Sequence, residues 1–320
     1  MAIQYFTNIH DINTNKALLL IEASLQAYNA FNEKTPAICQ TQNITPPAGY
    51  DLVNSWTGVD TIFNKDKTVE CYGLVFRSQT APYTYIFAFR GTSSTLDILD
   101  DLGIESKPFT PHDTSVMPVL GDVEIESGFF DVYSESDGDT PSMQQQMFDL
   151  IDTFNTSDKP IDQLYITGHS LGSAVCELFT LDVALSRPEV NASNYNYACP
   201  RVGNNEFVSF YEKQLAQQDP QTRTLRIQNT YDKVPCVPLE DMGYYHLTNA
   251  YLIAFYEESW SGIKKLNLLA RHSALNYQAV LNCAAKSDTG ICIAEKLEVP
   301  GNDYAVTSKQ PDADSVCSFF

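Results

Sequence analysis

The chain has 320 residues, 43% hydrophobic and 19% charged, the composition of an ordinary soluble globular protein with one large α/β domain or two small ones. Its 20 Lys and Arg against 40 Asp and Glu leave a net charge of −20, which argues against nucleic acid and against tight binding to anionic lipid. No apolar run reaches transmembrane length, and the stretch Met1-Ala2-Ile3-Gln4-Tyr5-Phe6 lacks the basic and apolar regions of a signal peptide. The expectation is therefore cytoplasmic by default, or secreted if a signal has been cleaved.

In chain order, Ala17, Leu18, Leu20, Ile21, Leu25 and Tyr28 recur at helical spacing and predict an amphipathic helix over 14–31, packed on a sheet. Residues 41–57, with Pro46 and Pro47, read as loop. Segments 69–76 and 84–89 are rich in β-branched and aromatic residues and read as adjacent strands joined across 79–82. A short helix is expected over 94–102, then a proline-containing excursion to 122; together, 94–122 is a candidate lid. Helical pattern resumes after Gly128-Phe129-Phe130 and again over 143–154. Short strands are expected over 164–167, 195–198, 222–228 and 244–247, and helices over 205–215 and 273–284. From Pro300 the sequence is polar with little periodicity and reads as a loose tail, 300–320. Strands alternating with helices predict an α/β fold, a mostly parallel sheet covered on both faces, with 1–320 as a single domain.

Eight cysteines are too few to define a disulfide scaffold in a chain this long. Cys176 and Cys199 fall in predicted core elements and read as small buried hydrophobes; Cys283 and Cys292 are near enough to pair, though nothing in the sequence decides it. No C-x-x-C and no Cys/His cluster has metal spacing, so neither metal nor cofactor is expected.

The chemistry centres on Leu164-Tyr165-Ile166-Thr167-Gly168-His169-Ser170-Leu171-Gly172. A β-rich run meets a G-x-S-x-G pentapeptide, and a helix-compatible run follows at once. That is the strand, sharp turn and helix of a nucleophile elbow. Gly168 and Gly172 leave room where strand and helix nearly touch, and Ser170 would sit at a helix N-terminus, where free N–H groups favour developing negative charge. The alternative is an ordinary strand–loop–helix with a chance pentapeptide.

A serine hydroxyl needs a base, usually a His oriented by a buried carboxylate. In an elbow fold the order is Ser, then Asp or Glu, then His. Of five histidines only His246 and His272 follow Ser170 at a distance. Asp232 lies in a loop just past a predicted strand, where active-site loops collect, with Glu240 and Asp241 as rivals. One oxyanion donor is the backbone N–H after the nucleophile, that of Leu171.

Phe89-Arg90-Gly91-Thr92, Gly168-His169-Ser170-Leu171-Gly172, Pro200-Arg201-Val202-Gly203-Asn204 and Asn229-Thr230-Tyr231-Asp232-Lys233-Val234-Pro235 occur in that order. Together they resemble the fungal-type (class 3) lipase family, from the first helix to the helix after His272. The resemblance implies an α/β-hydrolase fold with Asp232 as the triad acid and Thr92 as the second oxyanion donor, through its N–H and its hydroxyl. It favours His272, which leads a helical segment, as the base, and makes His246 structural. His169, the variable residue of the elbow, and His112 are poor bases. The lid helix carries Asp97, Asp100 and Asp101 and lacks the tryptophan many relatives have there, so interfacial activation is expected to be weak. The His two residues before the Gly of the return segment is Glu126 here.

The reading is a serine carboxylic-ester hydrolase, with acylglycerol esters as substrate and transient contact with a lipid–water interface. Its rivals are a phospholipase or feruloyl-type esterase on the same site, a serine peptidase, and a non-enzymatic lipase-like interaction module.

Overall fold

A computed structural model describes residues 2–61, 67–92, 105–215, 224–257 and 268–317. Its frame is an eight-stranded sheet built from β1 (Gln4–Phe6), β2 (Tyr50–Asp60), β3 (Thr68–Ser78), β4 (Thr84–Phe89), β7 (Gln163–His169), β8 (Ala192–Tyr197), β9 (Thr224–Asn229) and β10 (Asn249–Ile253). The order is β1-β10-β9-β8-β7-β4-β3-β2, parallel from β1 to β4 and antiparallel at the β4, β3, β2 edge. A two-stranded ribbon pairs β5 (Ser106–Pro108) with β6 (Glu124–Glu126). A three-stranded sheet joins β11 (Phe255–Tyr256), β13 (Ala305–Ser308) and β12 (Ala294–Glu298).

The period-2 geometry of the strands sorts their side chains between two cores. On β4, Tyr85, Phe87 and Phe89 enter one apolar cluster, while Ile86 and Ala88 enter the other. The first cluster is closed by α2 (Ser127–Ser134), α3 (Met143–Asn155), α4 (Leu171–Ser186) and α5 (Asn205–Gln214). The second is closed by α1 (Thr14–Asn29) and α7 (Ala274–Lys286); the short α6 (Leu268–His272) precedes α7. Covering a mostly parallel sheet on both faces is the expected α/β arrangement. Among the described residues no helix is long and apolar enough to cross a membrane.

Several expectations are corrected. The segment 41–57 is not all loop: β2 starts at Tyr50, beyond the two prolines, and runs against β3 with two register shifts. Its Trp56 ring lies on Gly73 of β3, where any Cβ would overlap it, so the glycine serves close packing. The strand expected at 244–247 is instead β10, a few residues later; Tyr245 makes only an isolated bridge to Gly203. The tail is not loose through Cys317. Strand β13 pairs on both sides, and Cys317 is bonded to Cys236; short strands and a covalent tie leave no periodic signal. Cys39–Cys71 and Cys283–Cys292 are also bonded, whereas Cys176 and Cys199 are free and buried.

The predicted helix 94–102 and residues 103 and 104 lie outside the described residues. From β5 the chain is anchored. Phe109 is buried, the His112 N–H donates to Asp182 Oδ1 at 2.8 Å, and the His112 ring stacks on Phe148 at 4.2 Å. Asp182 sits on α4, the helix that follows Ser170. Glu126 caps α2, its carboxylate accepting the Phe129 N–H at 2.9 Å.

Candidate active site

At the end of β7 the backbone turns so sharply that Ser170 takes φ 59° and ψ −129°, a strained conformation for any residue with a Cβ. The Ser170 N–H donates to Tyr197 O on the neighbouring strand, and α4 begins at Leu171. A Cβ on Gly168 would come 2.6 Å from Gly172 O, and one on Gly172 would collide with Arg90 O. The pentapeptide glycines thus permit the turn to pack against both its own helix and the loop after β4. Ser170 is 2% exposed, and its Oγ is buried with no hydrogen-bond partner.

Asp232 lies in the turn after β9. Its Oδ1 accepts the Val234 N–H at 3.0 Å; its Oδ2 accepts His272 Nδ1–H at 2.8 Å and the Tyr277 hydroxyl at 2.9 Å. Donation from Nδ1 leaves Nε2 of a neutral His272 as the basic nitrogen. That Nε2 is also buried and has no partner. The structure therefore brings Asp232 and His272 into direct contact, whereas Ser170 Oγ and His272 Nε2, both buried, make no hydrogen bond to each other. The rival acids stand elsewhere: Glu240 pairs with Arg201 at 3.0 Å, and Asp241 is exposed in the same turn.

His246 is buried and donates Nε2–H to Pro235 O at 2.6 Å. Burial, with the charges of Arg226 and Arg201, holds its ring well below the ordinary imidazole range, so it stays neutral. It supports the turn that carries Asp232 and sits in a loop rather than a strand.

Two residues without an assigned role in the sequence reading prove central to the geometry. Asn229, the last residue of β9, donates its amide to Phe255 O and Arg271 O, and its oxygen accepts the N–H of Phe255 and Tyr231. It ties the acid turn to the residue before His272. Tyr277 accepts the Asn229 N–H while donating to Asp232. Their signal was available only as proximity in sequence to Asp232 and His272.

Arg90 is buried. It donates Nε–H to Cys71 O and Nη1–H to Gly91 O, pairs with Glu70, and lies over the Phe31 ring at 4.0 Å. This fixes the backbone entering Thr92. Thr92 and His272 both line a cavity of about 420 Å³, with Leu25, Tyr28, His169 and Leu269. Leu171 is buried at the first turn of α4, where its N–H has no helical acceptor. Among the described residues no group of three or more His, Cys, Asp or Glu could hold a metal.

Comparison with known proteins gives a consistent picture. Residues 86–242 match the family described as lipase (class 3). The secreted mono- and diacylglycerol lipase MDL3 of Malassezia globosa is 29% identical over 164 residues, 51% of this chain and 50% of that protein. The lipase of Rhizomucor miehei is 28% identical over 221 residues, covering 67% and 54%. The chloroplastic phospholipase A1-Ialpha2 of Arabidopsis thaliana is 29% identical over 191 residues, covering 55% and 36%. The chain spans about half or less of the length of these relatives. Among solved structures, the Lip2 lipase of Yarrowia lipolytica aligns with a TM-score of 0.59 at 19% identity, over 79% of this chain and 82% of that one. The Rhizomucor miehei triacylglyceride lipase aligns with a TM-score of 0.53 at 20% identity, over 75% and 79%. The fold is thus that of the α/β-hydrolases.

Proposed function

Since the chain belongs to the class 3 lipase family, we propose that it hydrolyses carboxylic esters, with acylglycerols as its substrate class. The observation that carries the reading is the coexistence of a strained elbow serine with an Asp232-oriented His272, the reactive Oγ and Nε2 both buried and unpartnered. In this reading Ser170 Oγ attacks the ester carbonyl carbon while His272 Nε2 takes its proton. Asp232 stabilises the imidazolium and keeps Nδ1 protonated. The N–H groups of Thr92 and Leu171 stabilise the tetrahedral oxyanion. Collapse of that intermediate breaks the C–O bond, and His272 returns the proton to the leaving alcohol. Water then repeats the sequence on the acyl-enzyme.

The reading takes 1–320 as one α/β-hydrolase domain, which is supported by one sheet with a core on each face. It also takes the region 94–122 as the segment facing the lipid surface, within which Phe109 is buried and His112 and Asp113 are hydrogen-bonded to α4. Secretion is favoured over the cytoplasmic default. Three disulfides suit an oxidising compartment, and a similar lipase is secreted.

A phospholipase A1 activity is the second reading, favoured by similarity to plant phospholipases A1. Initial rates of wild type and Ser170→Ala on tributyrin, phosphatidylcholine and nitrophenyl esters test both. Loss of all ester turnover in the folded mutant is expected, with acylglycerol turned over faster than phospholipid. A mutant retaining a tenth of wild-type turnover would overturn the nucleophile, and faster turnover of phosphatidylcholine would select the second reading.

A further inference from the structure

Resting on the functional reading above, we propose that Tyr28 and His169 are positioning residues: a hydrogen-bond chain through them sets the distance between the loop that carries Thr92 and the backbone of His272. His169 is the residue before the nucleophile, and its ring lies beside that of His272. Its Nε2 lies 2.7 Å from His272 O, and its Nδ1 lies 2.8 Å from the Tyr28 hydroxyl.

A carbonyl oxygen only accepts, so Nε2 must carry the hydrogen. A neutral ring then has a lone pair at Nδ1, and the Tyr28 hydroxyl must donate to it. The ring does stay neutral: burial first, then the His272 ring at a centroid distance of 4.5 Å, holds His169 well below the ordinary imidazole range. The direction of the chain is therefore set: Tyr28 O–H to His169, and His169 N–H to the base's own carbonyl.

The other end meets the oxyanion loop. Gly91 lies against the Tyr28 oxygen. A Cβ on Gly91 would overlap that oxygen and come 2.7 Å from His169 O and 2.9 Å from Ser170 Cβ. Gly91 precedes Thr92, so the oxyanion loop, the elbow and the base meet at one tyrosine and one histidine.

Helix α1, which carries Tyr28, is itself pinned to the sheet. Ser24 Oγ donates to Phe89 O at 3.0 Å, Thr167 Oγ1 donates to Leu20 O at 3.2 Å, and the Tyr197 hydroxyl donates to Ala17 O. Tyr28 thus transmits the position of a rigid element to His272. The base otherwise sits at the end of a five-residue helix, held by Asp232 on its ring and by the amides of Asn229 on Arg271 O and Asn276 on Ala270 O. A displacement of about 1 Å in a catalytic group can cost on the order of a hundredfold in rate.

The test separates this role from the function and from mere stability. Wild-type turnover of a soluble nitrophenyl ester, lost in Ser170→Ala, establishes the functional reading. For the variants, kcat is expressed per active site titrated with a fluorophosphonate. Tyr28→Phe is expected to lower it about threefold to tenfold, and His169→Ala about thirtyfold or more, with KM within about twofold. His169→Gln keeps an amide N–H for the His272 carbonyl and should recover part of the loss. On the His169→Ala background Tyr28→Phe should cost little, since the two losses share one chain. Unchanged kcat per titrated site in folded Tyr28→Phe and His169→Ala, with only the melting temperature lowered, would overturn the proposal. Nitrogen-15 spectra of labelled histidine give a readout that does not need turnover. The Nε2–H tautomer is expected for His169, with the His272 signals shifted in Tyr28→Phe. An Nδ1–H tautomer for His169 would overturn the direction of the chain, and with it the proposal.

Discussion

The hydroxyl of Tyr277 donates to Asp232 Oδ2 at 2.9 Å, the same oxygen that accepts His272 Nδ1–H at 2.8 Å. One carboxylate oxygen thus holds both the base and a residue on the next helix. Because Tyr277 also accepts the Asn229 N–H, Tyr277→Phe leaves two buried groups short of a partner. We expect a stability loss of about 1–3 kcal/mol in urea melts, together with a kcat lowered severalfold. A mutant with wild-type kcat would show that the remaining bonds orient Asp232 sufficiently.

The two downstream histidines should separate by phenotype. His272→Ala removes the nitrogen held by Asp232 and should lower kcat by several orders of magnitude with little change in melting temperature. His246→Ala leaves Pro235 O without its donor in a buried site, at a cost of about 1–3 kcal/mol, while turnover per folded molecule is retained. Kinetics and thermal melts on both variants check this, and the reverse pattern would exchange their roles.

Glu177, buried on α4, gives a pH signature of stability. Burial pushes its carboxyl from 4.5 up to about 7, opposed by the Arg226 charge and by hydrogen bonds from Cys199 and Asn196. Below pH 4.5 both folded and unfolded forms are protonated, and no stability is lost. Between 4.5 and 7 the unfolded chain releases its proton while the folded one holds it, so stability falls as pH rises. Above 7 the loss levels off, on the order of 3 kcal/mol from the size of that shift. Glu177→Gln removes this slope. Urea melts from pH 4.5 to 8 should show wild type weakening relative to the mutant, and parallel curves would contradict the assignment.

Disulfide removal should rank by loop length. Cys236–Cys317 spans 81 residues and Cys283–Cys292 spans 9. Chain entropy then predicts that Cys317→Ser with Cys236→Ser costs about 2 kcal/mol more than the double Ser variant of the shorter bridge. Since Cys236 lies in the turn that follows Asp232, the first variant should also lower kcat, whereas the second should not. Equal melting-temperature losses would argue that native packing, not the unfolded chain, sets the contribution.

Much of this molecule was legible in the sequence where the determinants are contiguous. The elbow needs an apolar strand, two glycines, a serine and a helix, all within a few adjacent turns of chain. Each requirement is a local steric one, so the residues state it without help from elsewhere. The same holds for α1 and α3, whose apolar residues repeat at the helical period, and for β3 and β4, whose β-branched and aromatic residues favour a strand. What only the tertiary structure decided is what meets across distance. The 40-residue separation of Asp232 from His272, the Tyr28 contact with His169, and the ties of Asn229 to residues 255 and 271 leave no periodic trace. Strand β2 was obscured by the prolines before it and by Gly58 within it, and the tail by its short strand and its bond to Cys236. The physical reason is the same in each case. Period and propensity record how a residue relates to its neighbours in the chain, whereas partnering of buried polar groups is selected only once the sheet order has brought distant turns to one edge.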